Sequence, residues 1–176
     1  MRNQPRGQLL VHALSRRSVR GMLFVGGRAY PSALGRSGRR ALKREGDGAT
    51  PSGVFRLESV YYRPDRCPRP QTGLPLKIIR SSSGWCDAPA DRNYNRPVCH
   101  PYPASAEEMW RPDGLYDVVV VLDCNRRPRV RGRGSAIFMH VARPGFAPTE
   151  GCIALRRPDL MRLLTRLKPG ARILIP

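Results

Sequence analysis

The sequence predicts a mainly β fold with short helices, of the α+β class, in a single domain. Its 176 residues are about the length of one ordinary domain. Its 18 prolines and 17 glycines divide the chain into short apolar runs separated by turns, which favours many strands over long helices. We therefore expect one domain over residues 1–176, with a Pro-rich irregular insertion at about 61–115.

The first third of the chain predicts a β-meander followed by a loop and a long strand. Residues 8–34 alternate short apolar runs with turn-like breaks, and the Gly26-Gly27 pair is typical of a hairpin. Residues 35–53 are polar, basic and rich in glycine, which predicts a loop over the surface. Residues 54–62, VFRLESVYY, then predict a strand.

The insertion contains two weak secondary-structure signals. Residues 75–79, PLKII, predict a strand, and Ser105 with Glu108 three residues later forms a capping box that predicts a short helix over 105–110. A long irregular segment in a compact domain is usually functional, so we expect the insertion to form one wall of a cleft. Its candidate substrate contacts are Trp85, Asp87, Tyr94 and Asn95. The equal alternative is that the aromatic side chains only anchor the insertion to the core.

The last third predicts three buried strands, a helix and a final strand. The strands are residues 115–123 with four consecutive valines, 137–141 and 153–155. Leu160, Leu163, Leu164 and Leu167 have helical spacing between Pro158 and Gly170, residues that suit a helix start and stop. Residues 172–176, RILIP, close the chain as a strand.

The strong positive charge does not by itself indicate nucleic-acid binding. The chain has 32 Lys and Arg against 13 Asp and Glu, a net charge of +19. Such a charge attracts polyanions. The arginines are nevertheless dispersed, and the sequence has no basic arm with interleaved aromatic residues, helix-turn-helix signal or zinc-finger spacing. We expect no nucleic-acid partner, and a basic protein that binds a wall polymer or nucleic acid is kept as an alternative.

The N-terminal sequence and the cysteines limit the location and the chemistry. No run of about 18 apolar residues predicts a transmembrane segment, and the apolar segment near the N-terminus is too short for a clear signal peptide. None of the five cysteines forms a CxxC pair, so we expect no metal and no cofactor. The sequence leaves open the disulfide state of four of them: Cys67, Cys86, Cys99 and Cys124.

His140 and Cys152 are the candidate base and nucleophile. Each lies at the end of a short apolar run, and a Pro/Gly-rich loop joins the two runs. Two strand ends can hold a pair of side chains at a fixed distance. Gly151 allows a sharp turn, and the amides of Gly151 and Cys152 could form an oxyanion hole. The alternative is that Cys152 is only a small buried hydrophobic residue.

These residues resemble the L,D-transpeptidases of bacterial cell walls. The family signature is a histidine, a variable loop, and then Ser-His-Gly-Cys followed closely by an arginine. Here His140 is followed by Thr149, Gly151 and Cys152, and an upstream family element, Thr-Pro-x-Gly-x-Phe, appears as residues 50–55. The sequence departs from the signature in three places. Thr149 replaces the serine, Glu150 stands where a second histidine is common, and Ala154 holds the arginine position, with Arg156 and Arg157 close by.

The resemblance implies a β-sandwich or barrel fold and a cysteine acyltransferase. His140 would take the thiol proton, and the resulting imidazolium would lower the Cys152 pKa. The donor would be a peptidoglycan stem tetrapeptide, attacked between diaminopimelate and D-Ala. The acceptor would be an amine on a wall peptide or an envelope protein.

The resemblance also sets the expected site residues and location. The catalytic set would be Cys152, His140, Gly151 and Thr149, and Arg156 and Arg157 are candidate substrate contacts. The family implies the periplasm or cell envelope, although a cytoplasmic location stays possible without a clear signal peptide. An L,D-carboxypeptidase or another cysteine amide hydrolase is the alternative activity.

Overall fold

The computed structural model describes residues 8–176, and most of its regular structure is strand. Within that range one α-helix, α1 (Arg157–Leu164), and a 3₁₀ turn at Pro144–Phe146 are the helical elements. The strands are β1 (Gln8–His12), β2 (Arg20–Val25), β3 (Arg28–Ala33), β4 (Arg39–Arg40), β5 (Thr50–Pro51), β6 (Gly53–Tyr62), β7 (Leu76–Ile78), β8 (Ser83–Cys86), β9 (Arg96–Cys99), β10 (Ala106–Glu108), β11 (Val118–Leu122), β12 (Phe138–Val141), β13 (Ile153–Leu155) and β14 (Arg172–Ile175).

The main sheet closes on itself like a barrel. Its nine strands lie in the order β11-β12-β13-β3-β2-β1-β14-β6-β7, and β11 also pairs with β6. That extra pairing joins the first eight strands of the order into a ring. The long β6 makes the closure possible, because it pairs with β14 through its first residues and with β11 through its later ones. The mainly β prediction is confirmed.

The four-valine run is buried because β11 is covered on both faces. Alternate residues of a strand point to opposite faces of the sheet. Val118, Val120 and Leu122 pack into the main core with α1, whereas Val119 and Val121 pack into a second core. A strand covered on both sides needs apolar residues at every position, which explains the unbroken apolar run.

The N-terminal meander and the C-terminal helix are confirmed. β1, β2 and β3 pair in antiparallel succession, and Gly26 and Gly27 form the turn between the last two with φ angles of 52° and 75°. The helix α1 is shorter than predicted and ends at Leu164, although Leu167 remains buried. Within residues 8–176 no helix is long and apolar enough to cross a membrane.

The insertion forms a small sheet of its own, and the helix predicted at 105–110 is wrong. β8 lies between β9 and β10, and Ala106 and Glu108 pair with Cys86 and Gly84 of β8. The capping box is a local signal worth about 1 kcal/mol. Here the cross-strand hydrogen bonds and the burial of Trp85 beneath the sheet outweigh it. The strand predicted at 75–79 is confirmed as β7.

Residues 35–53 are only partly the surface loop that the sequence predicts. They include β4, which pairs in parallel with β5. Lys43 and Asp47 form an ion pair in which both side chains are less than 10% exposed. The sequence shows the charges but not their pairing, so a segment that is rich in charge and glycine is more buried than expected.

Candidate active site

Parallel pairing of β12 and β13 brings His140 and Cys152 to one site. Met139 lies opposite Ile153 and His140 opposite Ala154, so Cys152 precedes its strand beside Phe138. The backbone N–H of Phe138 donates to Cys152 Sγ at 3.3 Å. Both predicted side chains line one cavity of about 420 Å³, which we call the Cys152 cavity. The sequence prediction that strand ends hold the pair agrees with this placement.

Cys152 is a buried, protonated thiol. It is 7% exposed, and its Sγ donates to the carbonyl oxygen of Ala136 at 3.3 Å. Burial raises the pKa of Cys152 to about 12, and the nearby Glu107 carboxylate raises this pKa further while the Phe138 N–H opposes the shift. The resting thiol therefore carries its proton at neutral pH.

His140 is a buried, neutral imidazole with a defined orientation. Its Nδ1 lies 2.8 Å from the carbonyl oxygen of Val141. A carbonyl oxygen can only accept, so Nδ1 carries the proton and Nε2 is the basic nitrogen. The ring also packs edge-on against Tyr116, with centroids 5.2 Å apart. Burial lowers the pKa of His140 to about 4, and the positive charges of Arg111 and Arg143 lower it too.

Burial works against the expected thiolate–imidazolium pair before a substrate binds. Burial raises the pKa of Cys152 to about 12 and lowers that of His140 to about 4, which favours the uncharged form of both groups. Among the described residues, no hydrogen bond joins Cys152 Sγ to His140, because the thiol is bonded to Ala136 instead. The physical reason is burial, which disfavours the charged form of each group.

Thr149 and Gly151 shape the turn before the nucleophile. Thr149 Oγ1 donates to the carbonyl oxygen of Cys152 at 2.6 Å and accepts from the Gly151 N–H at 3.1 Å. Gly151 has a φ of 129°, and a side chain there would place Cβ 2.8 Å from the Ala49 carbonyl oxygen. Glycine is therefore required. The Gly151 N–H already has an acceptor, so the Cys152 amide is the better oxyanion donor of the two amides predicted.

The upstream motif at residues 50–55 lies beside this turn. Thr50 Oγ1 accepts from the Gly35 N–H at 2.8 Å. The segment after β3 also holds the turn directly, since the Thr149 N–H donates to the carbonyl oxygen of Leu34 at 2.9 Å and the Arg36 N–H donates to that of Thr149 at 2.8 Å. The two motifs that carry the resemblance are therefore linked through residues 34–36.

Of the four insertion residues predicted to contact substrate, Asp87 lines the Cys152 cavity and the other three are buried away from it. Trp85 and Asn95 are each 1% exposed, and Trp85 Nε1 donates to Asn95 Oδ1 at 3.0 Å. Tyr94 is also buried, and its hydroxyl donates to Glu45. None of the three lines the Cys152 cavity. This contradicts their assignment as substrate contacts and supports the alternative, in which they anchor the insertion to the core.

Arg156 and Arg157 also lie outside the lining of the cavity. Arg156 pairs with Asp159 at 3.1 Å, and Arg157 reaches Asp117 at 3.4 Å and the carbonyl oxygen of Arg66. The structure contradicts their assignment as substrate contacts, because being near in sequence to Cys152 does not direct their side chains to it. After Cys152 the chain forms β13 and then α1, and these elements place Arg156 and Arg157 beyond the site.

Two other arginines line the cavity and were missed. Arg111 is held by Asp113, with Nη2 2.6 Å from Oδ2. Arg143 is exposed and forms no ion pair within residues 8–176. It follows His140 by three residues, in the loop that leads to the nucleophile. That position was the available signal, although spacing along the chain does not say where the side chain points.

The cavity also contains acidic residues, of which the sequence had marked only Asp87 and Glu150. Four carboxylates line it: Glu45, Asp87, Glu107 and Glu150. Glu150 pairs with Arg36 on the surface, and Glu45 accepts from Ser135 at 2.8 Å. Glu107 accepts from the Tyr116 hydroxyl at 2.6 Å. Only the closed fold brings these four segments together.

The remaining cysteines and acidic groups give no metal-binding arrangement. Cys67, Cys86, Cys99 and Cys124 are all free thiols. In the part of the chain that the structure describes, no group of three or more His, Cys, Asp or Glu side chains could hold a metal ion.

Comparison with known proteins gives one family match over most of the chain. Residues 18–175 match the model of the YkuD family, described as the L,D-transpeptidase catalytic domain. No curated protein matches the chain.

Two solved structures resemble the chain at low sequence identity. Bd1075 of Bdellovibrio bacteriovorus aligns with 17% identity and a TM-score of 0.49, over 97% of this chain and 48% of that one. L,D-transpeptidase 1 of Mycobacterium tuberculosis aligns with 15% identity and a TM-score of 0.40, over 96% of this chain and 61% of that one. The chain therefore spans about half to three fifths of the length of these structures.

Proposed function

The chain belongs to the L,D-transpeptidase catalytic domain family, and from that membership we propose that it is a cysteine acyltransferase of peptidoglycan. The donor is a stem tetrapeptide, cleaved between diaminopimelate and D-Ala, and the acyl group passes to an amine. The observation that supports this most is the pairing of Cys152 with a His140 whose Nε2 is the basic nitrogen, both on one cavity.

Acylation starts from the neutral pair. When the donor carbonyl enters the cavity, Cys152 Sγ leaves its bond to Ala136, and His140 Nε2 takes the thiol proton as the bond from sulfur to carbon forms. Proton transfer coupled to attack avoids a free thiolate in a buried site, where it would be unstable. The Cys152 N–H stabilises the oxyanion. The carbon–nitrogen bond to D-Ala then breaks, and the D-Ala nitrogen takes the proton from His140.

Arg143 is the proposed contact for the donor carboxylate. The family arginine position holds Ala154, which is buried and cannot supply a cation. Arg143 lies at the same cavity, is exposed, and has no carboxylate partner in the described chain. A free guanidinium matches a carboxylate well. Its place after His140 would put the bound D-Ala carboxylate next to the base.

The partners and the location follow from the proposed activity. Stem peptides of peptidoglycan are the donors, and wall peptides or an envelope protein provide the acceptor amine. Such substrates place the working protein in the periplasm or cell envelope. The surplus of 19 positive charges would favour association with the carboxylates of the wall.

Product analysis tests this function and separates it from hydrolysis. Purified protein is incubated with tetrapeptide muropeptides, and the products are weighed by mass spectrometry. Crosslinked dimers with release of D-Ala support transfer. Trimmed tripeptide monomers alone would support an L,D-carboxypeptidase, and unchanged muropeptides would refute both activities.

A further inference from the structure

Glu107 brings a negative charge to the nucleophile from an unexpected direction. It lies on β10 of the insertion, lines the same cavity as Cys152 and His140, and raises the pKa of Cys152 by electrostatic repulsion. A carboxylate beside a thiol works against thiolate formation. It therefore hinders the first half of a thiol acyl transfer, and any useful role belongs to a later step.

The Glu107 carboxylate is fixed at one oxygen and free at the other. The Tyr116 hydroxyl donates to Oε1 at 2.6 Å. Tyr116 is itself held edge-on between Phe138 and His140. Within residues 8–176 no donor bonds to Oε2. Glu107 is thus positioned through a tyrosine that touches the base, with one acceptor oxygen left for a bound molecule.

The nearby cations form their ion pairs with carboxylates other than Glu107. Lys43 is paired with Asp47, and Arg111 is bound by Asp113. Burial raises the pKa of Glu107 most, Asp87 and Glu45 raise it further, and Tyr116 and Arg111 lower it. Asp87 also keeps a buried Oδ1 without a hydrogen-bond partner. This wall of the cavity is negative in a protein whose net charge is +19, and such a wall attracts a cation.

We propose that Glu107 binds the acceptor as an ammonium ion and so directs the thioester to cationic primary amines instead of water. The inference rests on the proposed function, because it concerns the second half of that reaction. It adds the residue that selects the acceptor amine and the charge state in which that amine binds. Tyr116 is a positioning residue that holds the Glu107 carboxylate beside the thioester.

The acceptor enters as R–NH₃⁺ and gives one proton to the Glu107 carboxylate, which produces a neutral amine. The amine nitrogen attacks the thioester carbonyl, a carbon–nitrogen bond forms, and the carbon–sulfur bond breaks. A second amine proton passes through His140 Nε2 to the Cys152 sulfur, which restores the thiol. Glu107 then releases its proton to solvent through the open cavity.

The test compares a charged and an uncharged nucleophile on the same acyl-enzyme. Protein acylated with a diaminopimelate-containing tetrapeptide is offered a muropeptide with a free amine, which is an ammonium ion at neutral pH, or hydroxylamine, which is uncharged there. Mass spectrometry measures the rate of each reaction, and the ratio compared is the rate with the muropeptide amine divided by the rate with hydroxylamine. Glu107→Gln should lower this ratio about tenfold, the size of one lost charge contact. Glutamine still accepts from Tyr116, so the site keeps its shape.

Glu108→Gln is the matched control, because Glu108 is the exposed neighbour on the same strand. It should leave the ratio unchanged. Cys152 alkylation by iodoacetamide should be at least as fast in Glu107→Gln as in the wild type, since a negative charge beside the thiol has been removed.

Four outcomes would count against the inference. An unchanged ratio in Glu107→Gln, an equal fall of both rates, or slower thiol alkylation would overturn it alone. Failure of the wild type to form any thioester would overturn the proposed function as well.

Discussion

Thr149 supports the nucleophile with a single hydroxyl group. The hydroxyl donates to the carbonyl oxygen of Cys152 and accepts from the Gly151 N–H, and Thr149 is buried. A buried backbone carbonyl that loses its donor costs free energy, since no water can replace it easily. Thr149 replaces the Ser of the family signature but keeps its hydroxyl group. The hydroxyl is the part of the side chain that forms hydrogen bonds in the turn.

Thr149→Val should destabilise the protein and slow acylation. The change removes both hydrogen bonds at nearly constant volume and should cost about 2 kcal/mol of unfolding free energy. Urea denaturation measures the loss, and D-Ala release measures activity. Thr149→Ser is the control and should stay within about 0.5 kcal/mol of the wild type. Equal stability of the valine and serine variants would show that the hydroxyl is not needed.

Cys152 should react slowly with iodoacetamide at neutral pH. A thiol with a pKa near 12 has almost no thiolate at pH 7.5, and the rate should rise steadily with pH above 9. Peptide mapping by mass spectrometry follows each cysteine separately, and the exposed Cys99 serves as the internal comparison. Faster labelling of Cys152 than of Cys99 at pH 7.5 would contradict the neutral resting pair.

At the scale of elements, the segment between β3 and β5 is a partly buried support for the cavity. Its Lys43 and Asp47 form an ion pair in which Asp47 also accepts from the N–H groups of Arg44 and Ala49. Lys43 and Glu45 of the same segment line the Cys152 cavity. The segment thus joins the wall of the active site to the interior of the fold.

Lys43→Met should therefore be strongly destabilising. It leaves the Asp47 carboxylate buried without its cation, which should cost about 3 kcal/mol of unfolding free energy, and the two N–H donors limit the loss. Urea denaturation at pH 7 measures it. The exposed Lys168→Met should change the stability by less than about 0.5 kcal/mol. A loss no larger than that of the control would mean that the pair is unimportant.

The sequence predicted the strands of the site well because apolar runs are local signals. The runs ending at His140 and starting after Cys152, and the motif at 50–55, identified the elements that form the turn. The helix at 105–110 failed because cross-strand pairing with β8 determines that segment. Arg143 and Glu107 were missed because their nearness to Cys152 depends on how β10 and the His-to-Cys loop fold over the barrel, which spacing along the chain does not encode.

At the scale of the whole molecule, buried titratable groups set the pH range of stability. The folded pKa of His140, about 4, lies below the ordinary value of 6.5. The contribution of His140 to the free energy of unfolding is therefore complete above pH 6.5 and is lost as the pH falls toward 4. The pKa values of Cys152 and Cys124 are raised from 9 to about 12. The contribution of these two thiols to the free energy of unfolding is complete below pH 9 and is lost as the pH rises above 9.

Stability should consequently be highest between about pH 6.5 and 9. Between pH 7.5 and 5 the protonation of His140 alone should remove about 2 kcal/mol of unfolding free energy. Urea denaturation across this range measures the slope. His140→Gln should have a flatter acid limb, whereas His12→Gln, at an exposed position, should follow the wild type. Parallel curves for all three proteins would contradict the burial of a neutral His140.

The central claim is that Cys152 forms an acyl-enzyme with a peptidoglycan donor, and intact-protein mass spectrometry tests it directly. Wild-type protein mixed with a diaminopimelate-containing tetrapeptide should gain the mass of the donor minus D-Ala. Peptide mapping should place the adduct on Cys152. Cys99→Ser should form the same adduct, and Cys152→Ala should form none and release no D-Ala. Continued D-Ala release by Cys152→Ala, or an adduct on another cysteine, would contradict the account.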